Sequence, residues 1–275
     1  MKRVLIIKNG VCDVDKSLMK LLCEIDQGIT PESITVTMSR DLVMNRDGSM
    51  SINDYACMIS KQVDCIIVCG GQQSLVDRAL PFYRHPYLNE LIKYVRVWIE
   101  ADVHILGICL GAQIIGEACG VKTKRLHCPV NGFNKDIQVV KQENTLNNVC
   151  LLGDWFSPHI PYVLSCHMDY VGINMSDVDL SGSDNNCATE SNLIVEAVMK
   201  NKGDYIPYAF RINSSYGVQF HPEMDDTLFN QVMGICSDLK EHTEFRERNS
   251  DSIKKTSIEI FKRWLSFVKV SAIND

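Results

Sequence analysis

The segment VHILGICLGAQIIGEACG constrains this chain more than any other: an apolar strand pattern, Val103 to Ile108, runs into Gly107, Ile108, Cys109, Leu110 and Gly111 and then directly into a helical pattern. Glycines two before and two after a central residue are what a sharp strand-to-helix turn demands, because side chains there collide with neighbouring backbone. The turn lifts Cys109 clear of the sheet and sets its sulfur at a helix N-terminus, where unpaired amides favour thiolate over thiol. A free thiol is only a few per cent ionised at neutral pH, so that assistance has chemical weight. Taken alone, the same pattern also describes a buried cysteine in a glycine-rich turn.

Three further strand-like runs, Val4 to Ile7, Ile34 to Met38 and Cys65 to Cys69, alternate with helical patterns. The clearest helix is HPYLNELIKYVRVWIEA, where Leu88, Leu91, Ile92, Val95, Trp98 and Ile99 recur at spacings of three and four. Such alternation predicts a parallel sheet with helices on both faces. From about Asp136 the texture changes to short runs, DIQVVK, YVLSC, NLIVEAVMK, PYAFRI and YGVQF, joined by Asn, Ser, Gly and Asp, which predicts antiparallel pairing. After Pro222 helices are expected at Leu228 to Leu239 and Ile253 to Val268, separated by KEHTEFRERNSD, whose mixed charges read as a solvated connector.

In 275 residues, 45% apolar and 23% charged, there is enough to bury a large core. A formal net charge of -6 leaves no basic excess for a nucleic-acid partner. Only four apolar residues lie between Arg3 and Lys8, short of a secretory segment, and no apolar run is long enough to span a membrane. A cytoplasmic protein with reduced thiols is therefore expected. Of the twelve cysteines, all but Cys109 are read as small core hydrophobes; no CxxC occurs, and Cys65 and Cys69 fall on one face of a strand, so no metal site is expected.

A partner for Cys109 is offered by YGVQFHPEM. If the chain stays extended through Pro222, which cannot continue a central ladder, His221 and Glu223 project to the same side, and a carboxylate there can hold the imidazole. Nucleophile, base and orienting carboxylate form triad logic. The six remaining histidines keep the ordinary surface or core reading. The strand DCIIVC ends in GGQQS at the carboxyl edge of the sheet, where ligands of open α/β folds bind, and the amides of Gly71 and Leu110 form a candidate two-donor oxyanion hole.

Together, GGQQS, GICLGAQ and YGVQFHPE resemble, in order, the glycine loop, nucleophile elbow and His-Pro-Glu motif of the class I, triad-type glutamine amidotransferases. The segment CHMDYV and the run AFRINSSYGVQFHPE are similar to the branch that contains the glutaminase part of GMP synthase and its free-standing relatives. The resemblance covers nearly the whole chain. It implies one domain over 1–275 with a helical extension at 225–275, and an α/β flavodoxin-like three-layer sandwich with a mostly parallel central sheet, an antiparallel extension and C-terminal helices. It also implies Cys109 as nucleophile, His221 as base, Glu223 as orienter, Gly71 and Leu110 as oxyanion donors, and Gly70, Gln113, His167, Met168 and Asp169 as substrate contacts, the last three largely through backbone. The implied substrate is glutamine, or alternatively another γ-glutamyl compound as in γ-glutamyl peptidases, with neither metal nor organic cofactor. No phosphate-binding loop of the GxxxxGK[ST] kind occurs, so an ammonia-accepting synthetase is expected on another chain. In one place the chain departs from the pattern: Gln72 stands where proline commonly follows the two glycines, which leaves open what stiffens that loop.

Overall fold

The computed structural model describes residues 1–46, 48–76, 85–134, 137–140, 151–152, 162–178, 192–235 and 242–268. Among them, the first strand, β1 (Val4–Lys8), pairs in parallel with β2 (Ile34–Met38) and with β3 (Cys65–Val68). Next to β3 lies β4 (His104–Ile108), again parallel, and beside β4 lies β10 (Ser215–Val218), also parallel. Beyond β10 the sheet turns antiparallel through β9 (Asp204–Ile212), β8 (Ile194–Asn201) and β6 (Ile137–Val139). The order is thus β2-β1-β3-β4-β10-β9-β8-β6, a mostly parallel sheet with an antiparallel extension, as the strand patterns predict, in the flavodoxin-like arrangement that the resemblance implies.

Residues of β1 alternate between two cores because successive side chains of a strand point to opposite faces. Val4 and Ile6 pack with Cys65 and Ile67 under α1 (Val14–Ile25), α6 (Asp226–Ile235) and α8 (Ser250–Phe267). Leu5 and Ile7 pack with Ile66 and Val68 under α3 (Ile52–Ser60), α4 (Pro86–Glu100) and α5 (Leu110–Ala118). Helix α4 covers the range its periodicity predicts and buries Leu88, Leu91, Val95 and Trp98. The helix α2 (Ser39–Met44) completes the second face. No helix of the described residues is long and apolar enough to cross a membrane.

Two elements differ from the sequence expectation. A long strand, β5 (Thr123–Asn134), pairs antiparallel with β7 (Val163–Val171) in a separate two-stranded sheet. Its charged, proline-interrupted sequence, with a register shift between Arg125 and Val130, shows no alternation from which a strand could be inferred. The expected connector KEHTEFRERNSD contains instead a short helix, α7 (Thr243–Arg248). Phe245 anchors it, its ring tilted against Phe133 and meeting Tyr162 edge-on, while Arg246 lies over the Phe229 ring. The mixed charge conceals that aromatic face. The cysteine expectation also needs correction: Cys65 and Cys69 are buried as read, but Cys128 is exposed, and Cys12, Cys23, Cys57, Cys119 and Cys166 are half-buried. Cys150, Cys187 and Cys236, also read as core, lie outside the described residues.

Candidate active site

Parallel pairing of β4 with β10 sets Gly107 beside Gly217 and Ile108 beside Val218, so the chain leaves both strands at the same edge of the sheet. Cys109 follows β4 and His221 follows β10. The Cys109 amide donates to the Val218 carbonyl at 2.8 Å, extending the ladder by one bond before the chain turns into α5. At the corner Cys109 takes φ 53° and ψ -106°, a conformation that side chains rarely adopt and that persists where surrounding structure over-determines it.

What over-determines it is the crowding at the flanking glycines. A Cβ on Gly111 would run into the Val68 carbonyl of β3, and one on Gly107 would meet the Gly111 carbonyl and Ile115. These contacts hold α5 against the sheet at backbone distance. The substitution Gly111→Ala is therefore expected to lower stability by about 1–3 kcal/mol or more, since rigid backbone cannot yield to the added methyl. An unchanged denaturant midpoint for this variant would contradict the crowding argument.

The approach to His221 differs in detail from an extended strand. β10 stops at Val218, His221 makes an isolated antiparallel bridge to Leu164 of β7, and Pro222 and Glu223 form a turn. The His221 amide donates to the Leu164 carbonyl at 2.8 Å. His221 and Glu223 nonetheless converge: the ring Nδ1 lies 2.8 Å from Glu223 Oε1. Glu223 is buried at 3% exposure. Burial alone would lower the basicity of the imidazole, but the Glu223 carboxylate, the Cys109 sulfur and the hydrogen bonds to both raise the His221 pKa well above the ordinary histidine value. Gly70 packs into the same corner, where an added Cβ would stand 3.0 Å from His221 Cε1 and 3.4 Å from Cys109 Cβ.

Cys109, His221, Glu223, Gly70 and Gly71 all line one cavity of about 170 Å³. Its other walls are largely apolar: Val11, Cys12, Val14, Met224, Leu228 and Val232, with Cys166 from β7. Leu110 opens α5, so its amide has no acceptor within the helix, and its side chain packs on Gly71. The loop after β3 is held without proline at position 72. The Asn9 side chain donates to the Cys69 carbonyl at 2.7 Å, and the Gln73 side chain donates to the Asn9 carbonyl at 2.5 Å and to the Tyr87 hydroxyl at 3.3 Å. Ser74 donates to Asp169 at 2.5 Å and accepts from Arg125 at 2.9 Å. These side chains tie the glycine loop to the end of β1 and to the β5-β7 ribbon.

The segment expected to contact substrate behaves as a strand. In β7, His167 and Asp169 are buried and Met168 is 42% exposed; none of the three residues lines the cavity, whereas Cys166 does. The Asp169 carboxylate pairs with Arg125 at 2.9 Å. Burial pushes the His167 pKa down to about 3, opposed in part by its hydrogen bond to the Asp169 carbonyl, so its ring stays neutral. Gln113, expected to face substrate, is 3% exposed and donates to the Asp169 main-chain carbonyl at 2.8 Å. One residue in the site was not singled out from sequence: Gln219, whose amide nitrogen lies 3.6 Å from Cys109 Sγ. It sits inside YGVQFHPE, where Tyr216, Val218 and Phe220 face one core, so strand alternation places Gln219 on the opposite side. Among the described residues no group of three or more His, Cys, Asp or Glu is arranged to hold a metal ion.

A sequence model of the family described as glutamine amidotransferase class-I matches residues 25–234. A putative glutamine amidotransferase-like protein of Acanthamoeba polyphaga mimivirus is 25% identical over 223 residues, covering 81% of this chain and 85% of the relative. One component of the glutamine-hydrolyzing GMP synthase of Saccharolobus solfataricus, a separate subunit by its name, is 28% identical over 182 residues, covering 64% of this chain and 78% of the relative. Among solved structures, a glutamine amidotransferase of Methylobacillus flagellatus superposes with a TM-score of 0.67 at 13% identity, covering 100% of this chain and 98% of that one. The glutaminase domain of Trypanosoma brucei CTPS with bound acivicin superposes with a TM-score of 0.58 at 13% identity, covering 98% and 96%. At these identities the superpositions speak to the fold.

Proposed function

The chain belongs to the class I glutamine amidotransferase family, and from that premise we propose that it hydrolyses the side-chain amide of glutamine with Cys109 as nucleophile, His221 as acid and base, and Glu223 as the group that orients His221. The observation that carries this reading is the convergence of Cys109, His221 and Glu223 on one cavity, with His221 Nδ1 held at 2.8 Å by Glu223. That contact leaves the opposite ring edge for sulfur and leaving group.

The Cys109 thiolate attacks the carboxamide carbon, and the oxyanion is held by the amides of Gly71 and Leu110. His221 gives its proton to the amide nitrogen, the C–N bond breaks, and ammonia departs. Water then attacks the γ-glutamyl thioester while His221 takes its proton, the C–S bond breaks, and glutamate leaves with Cys109 restored. Gly70 lies against this corner. The main chain of His167, Met168 and Asp169 serves the amino-acid end of the substrate, and Gln113 supports it by holding the Asp169 carbonyl. The domain is taken as 1–275, with α6, α7 and α8 in its helical extension.

The Saccharolobus solfataricus relative is by its name one chain of a GMP synthase; by analogy, a synthetase on a separate chain that accepts the ammonia is the partner this reading assigns. A second reading has a specific observation behind it: the apolar walls formed by Val11, Val14, Met224, Leu228 and Val232. They offer contact to the amine side of a larger γ-glutamyl amide, the alternative of a γ-glutamyl peptidase acting on glutathione-type compounds. A panel of glutamine and γ-glutamyl peptides, scoring ammonia and released amine with wild type beside Cys109→Ala, decides between them. Ammonia from glutamine without peptide cleavage removes the second reading, and peptide cleavage without glutamine turnover removes the first.

The electrostatics give a pH prediction. Glu223 and Cys109 hold the His221 pKa up against burial, so the imidazolium survives to higher pH than that of an ordinary histidine. Removing the carboxylate lets burial dominate, and the ring then loses its proton at lower pH. The alkaline limb of the kcat/KM profile for Glu223→Gln is expected to move to lower pH by about 1–3 units, the usual effect of an opposite charge at hydrogen-bond distance. A limb that stays in place, or moves upward, would show that Glu223 does not set the charge of His221.

A further inference from the structure

Gln219 is 2% exposed, and the orientation of its side-chain amide is dictated by a chain of hydrogen bonds. A main-chain carbonyl can only accept, so the Gln113 atom 2.8 Å from the Asp169 oxygen is the amide nitrogen. The same Gln113 nitrogen lies 3.4 Å from the side-chain oxygen of Gln219. With its oxygen so turned, Gln219 must present N–H toward Cys109 Sγ, 3.6 Å away. The Gln219 main-chain amide is itself anchored on the Tyr208 carbonyl of β9 at 2.9 Å.

We propose that Gln219 is a further catalytic residue, a fixed neutral donor to the Cys109 sulfur that stabilises the thiolate, with Gln113 as the positioning residue that sets its orientation. The proposal rests on Cys109 as nucleophile. The chemistry explains why a second donor is useful beside His221. In the second half of the reaction His221 is engaged with the attacking water, while the thiolate must leave from the tetrahedral intermediate. A donor that never exchanges its proton stays on the sulfur through both half-reactions.

The test is the pH dependence of carboxamidomethylation of Cys109 by iodoacetamide, followed on the Cys109 peptide by mass spectrometry. This small probe does not depend on glutamine binding. For Gln219→Leu, close in volume but without a donor, the midpoint of the reactivity curve is expected to rise by about one pH unit or more. At neutral pH kcat/KM should fall about tenfold or more through kcat, with KM little changed. Gln219→Glu keeps the shape but turns a carboxylate toward the sulfur, and should raise the midpoint further. Gln113→Leu, which frees the Gln219 amide to rotate without touching sulfur, should shift it in the same direction by less. An unshifted midpoint in Gln219→Leu that is folded by circular dichroism overturns the proposal; if that variant does not fold, an unshifted midpoint in Gln219→Glu does so. Wild-type protein that an electrophilic glutamine analogue fails to label at Cys109 would instead overturn the nucleophile assignment itself.

Discussion

Cys109→Ala is expected to release no measurable ammonia from glutamine, a loss of about 10⁴-fold or more in kcat, while keeping the cooperative unfolding of the wild type. The loss is large because the step it removes, formation of the thioester, has no substitute: Gln219, His221 and Glu223 can donate or orient but cannot form the covalent intermediate. Stability should change little. Cys109 is 5% exposed, so truncation to a methyl leaves a void of only one sulfur atom, worth about 1 kcal/mol. The strained corner is unaffected, since alanine meets the same penalty as cysteine at φ 53°. Turnover equal to wild type would refute the nucleophile assignment. An unfolded variant would show that the elbow is held by the sulfur and not, as argued from Gly107 and Gly111, by backbone crowding.

His221→Ala is expected to approach the same loss, and Glu223→Gln to retain roughly 10- to 100-fold more activity than His221→Ala. The ranking follows from what each group does at 2.8 Å separation. Without the imidazole no group protonates the leaving nitrogen or deprotonates water. Without the carboxylate the imidazole survives, still tied through its main chain to Leu164, but loses the partner that fixes its ring and keeps it charged. Steady-state kcat/KM for the two variants, measured in one buffer near neutral pH, checks this. The reverse ranking would mean that the roles of base and orienter are misassigned.

The centre of the parallel half is legible in the sequence because β1 and β3 are apolar runs buried on both faces. Val4, Ile6, Cys65, Ile67 and their alternates Leu5, Ile7, Ile66 and Val68 divide between the two cores as a period of two requires. The elbow is legible because steric demands fall on glycines, and Gly111 against the Val68 carbonyl is the demand in atomic form. Illegible parts depend on contacts far apart in sequence. Strand β5 exists through pairing with β7, whose partners lie 29 to 48 residues later, from the Asn134–Val163 pair to the Thr123–Val171 pair. Helix α7 forms where Phe245 finds Phe133 and Tyr162. The glycine loop is stiffened by Asn9 and Gln73, a pair 64 positions apart, and no local pattern announces that.

Cys109, His221 and Glu223, brought forward by the sequence pattern, do meet at one cavity, but the path to His221 and Glu223 differs from the expected extended strand. The strand ends at Val218, and a turn, not an extended segment, brings imidazole and carboxylate together. Gln219 is legible by alternation, since Tyr216, Val218 and Phe220 face one core and leave it on the opposite side, beside Cys109. Met168 illustrates the converse: a contiguous motif, His167 to Asp169, is split by the pleat of β7 between buried and exposed sides.

The most direct test is mass spectrometry of the protein after reaction with an electrophilic glutamine analogue, with the adduct mapped to a peptide. The account predicts one adduct per chain, on Cys109 and on none of the other cysteines, blocked by glutamine and absent from Cys109→Ala. Ammonia release that continues with Cys109 unmodified, or an adduct carried by Cys12 or Cys166 across the same cavity, would contradict it.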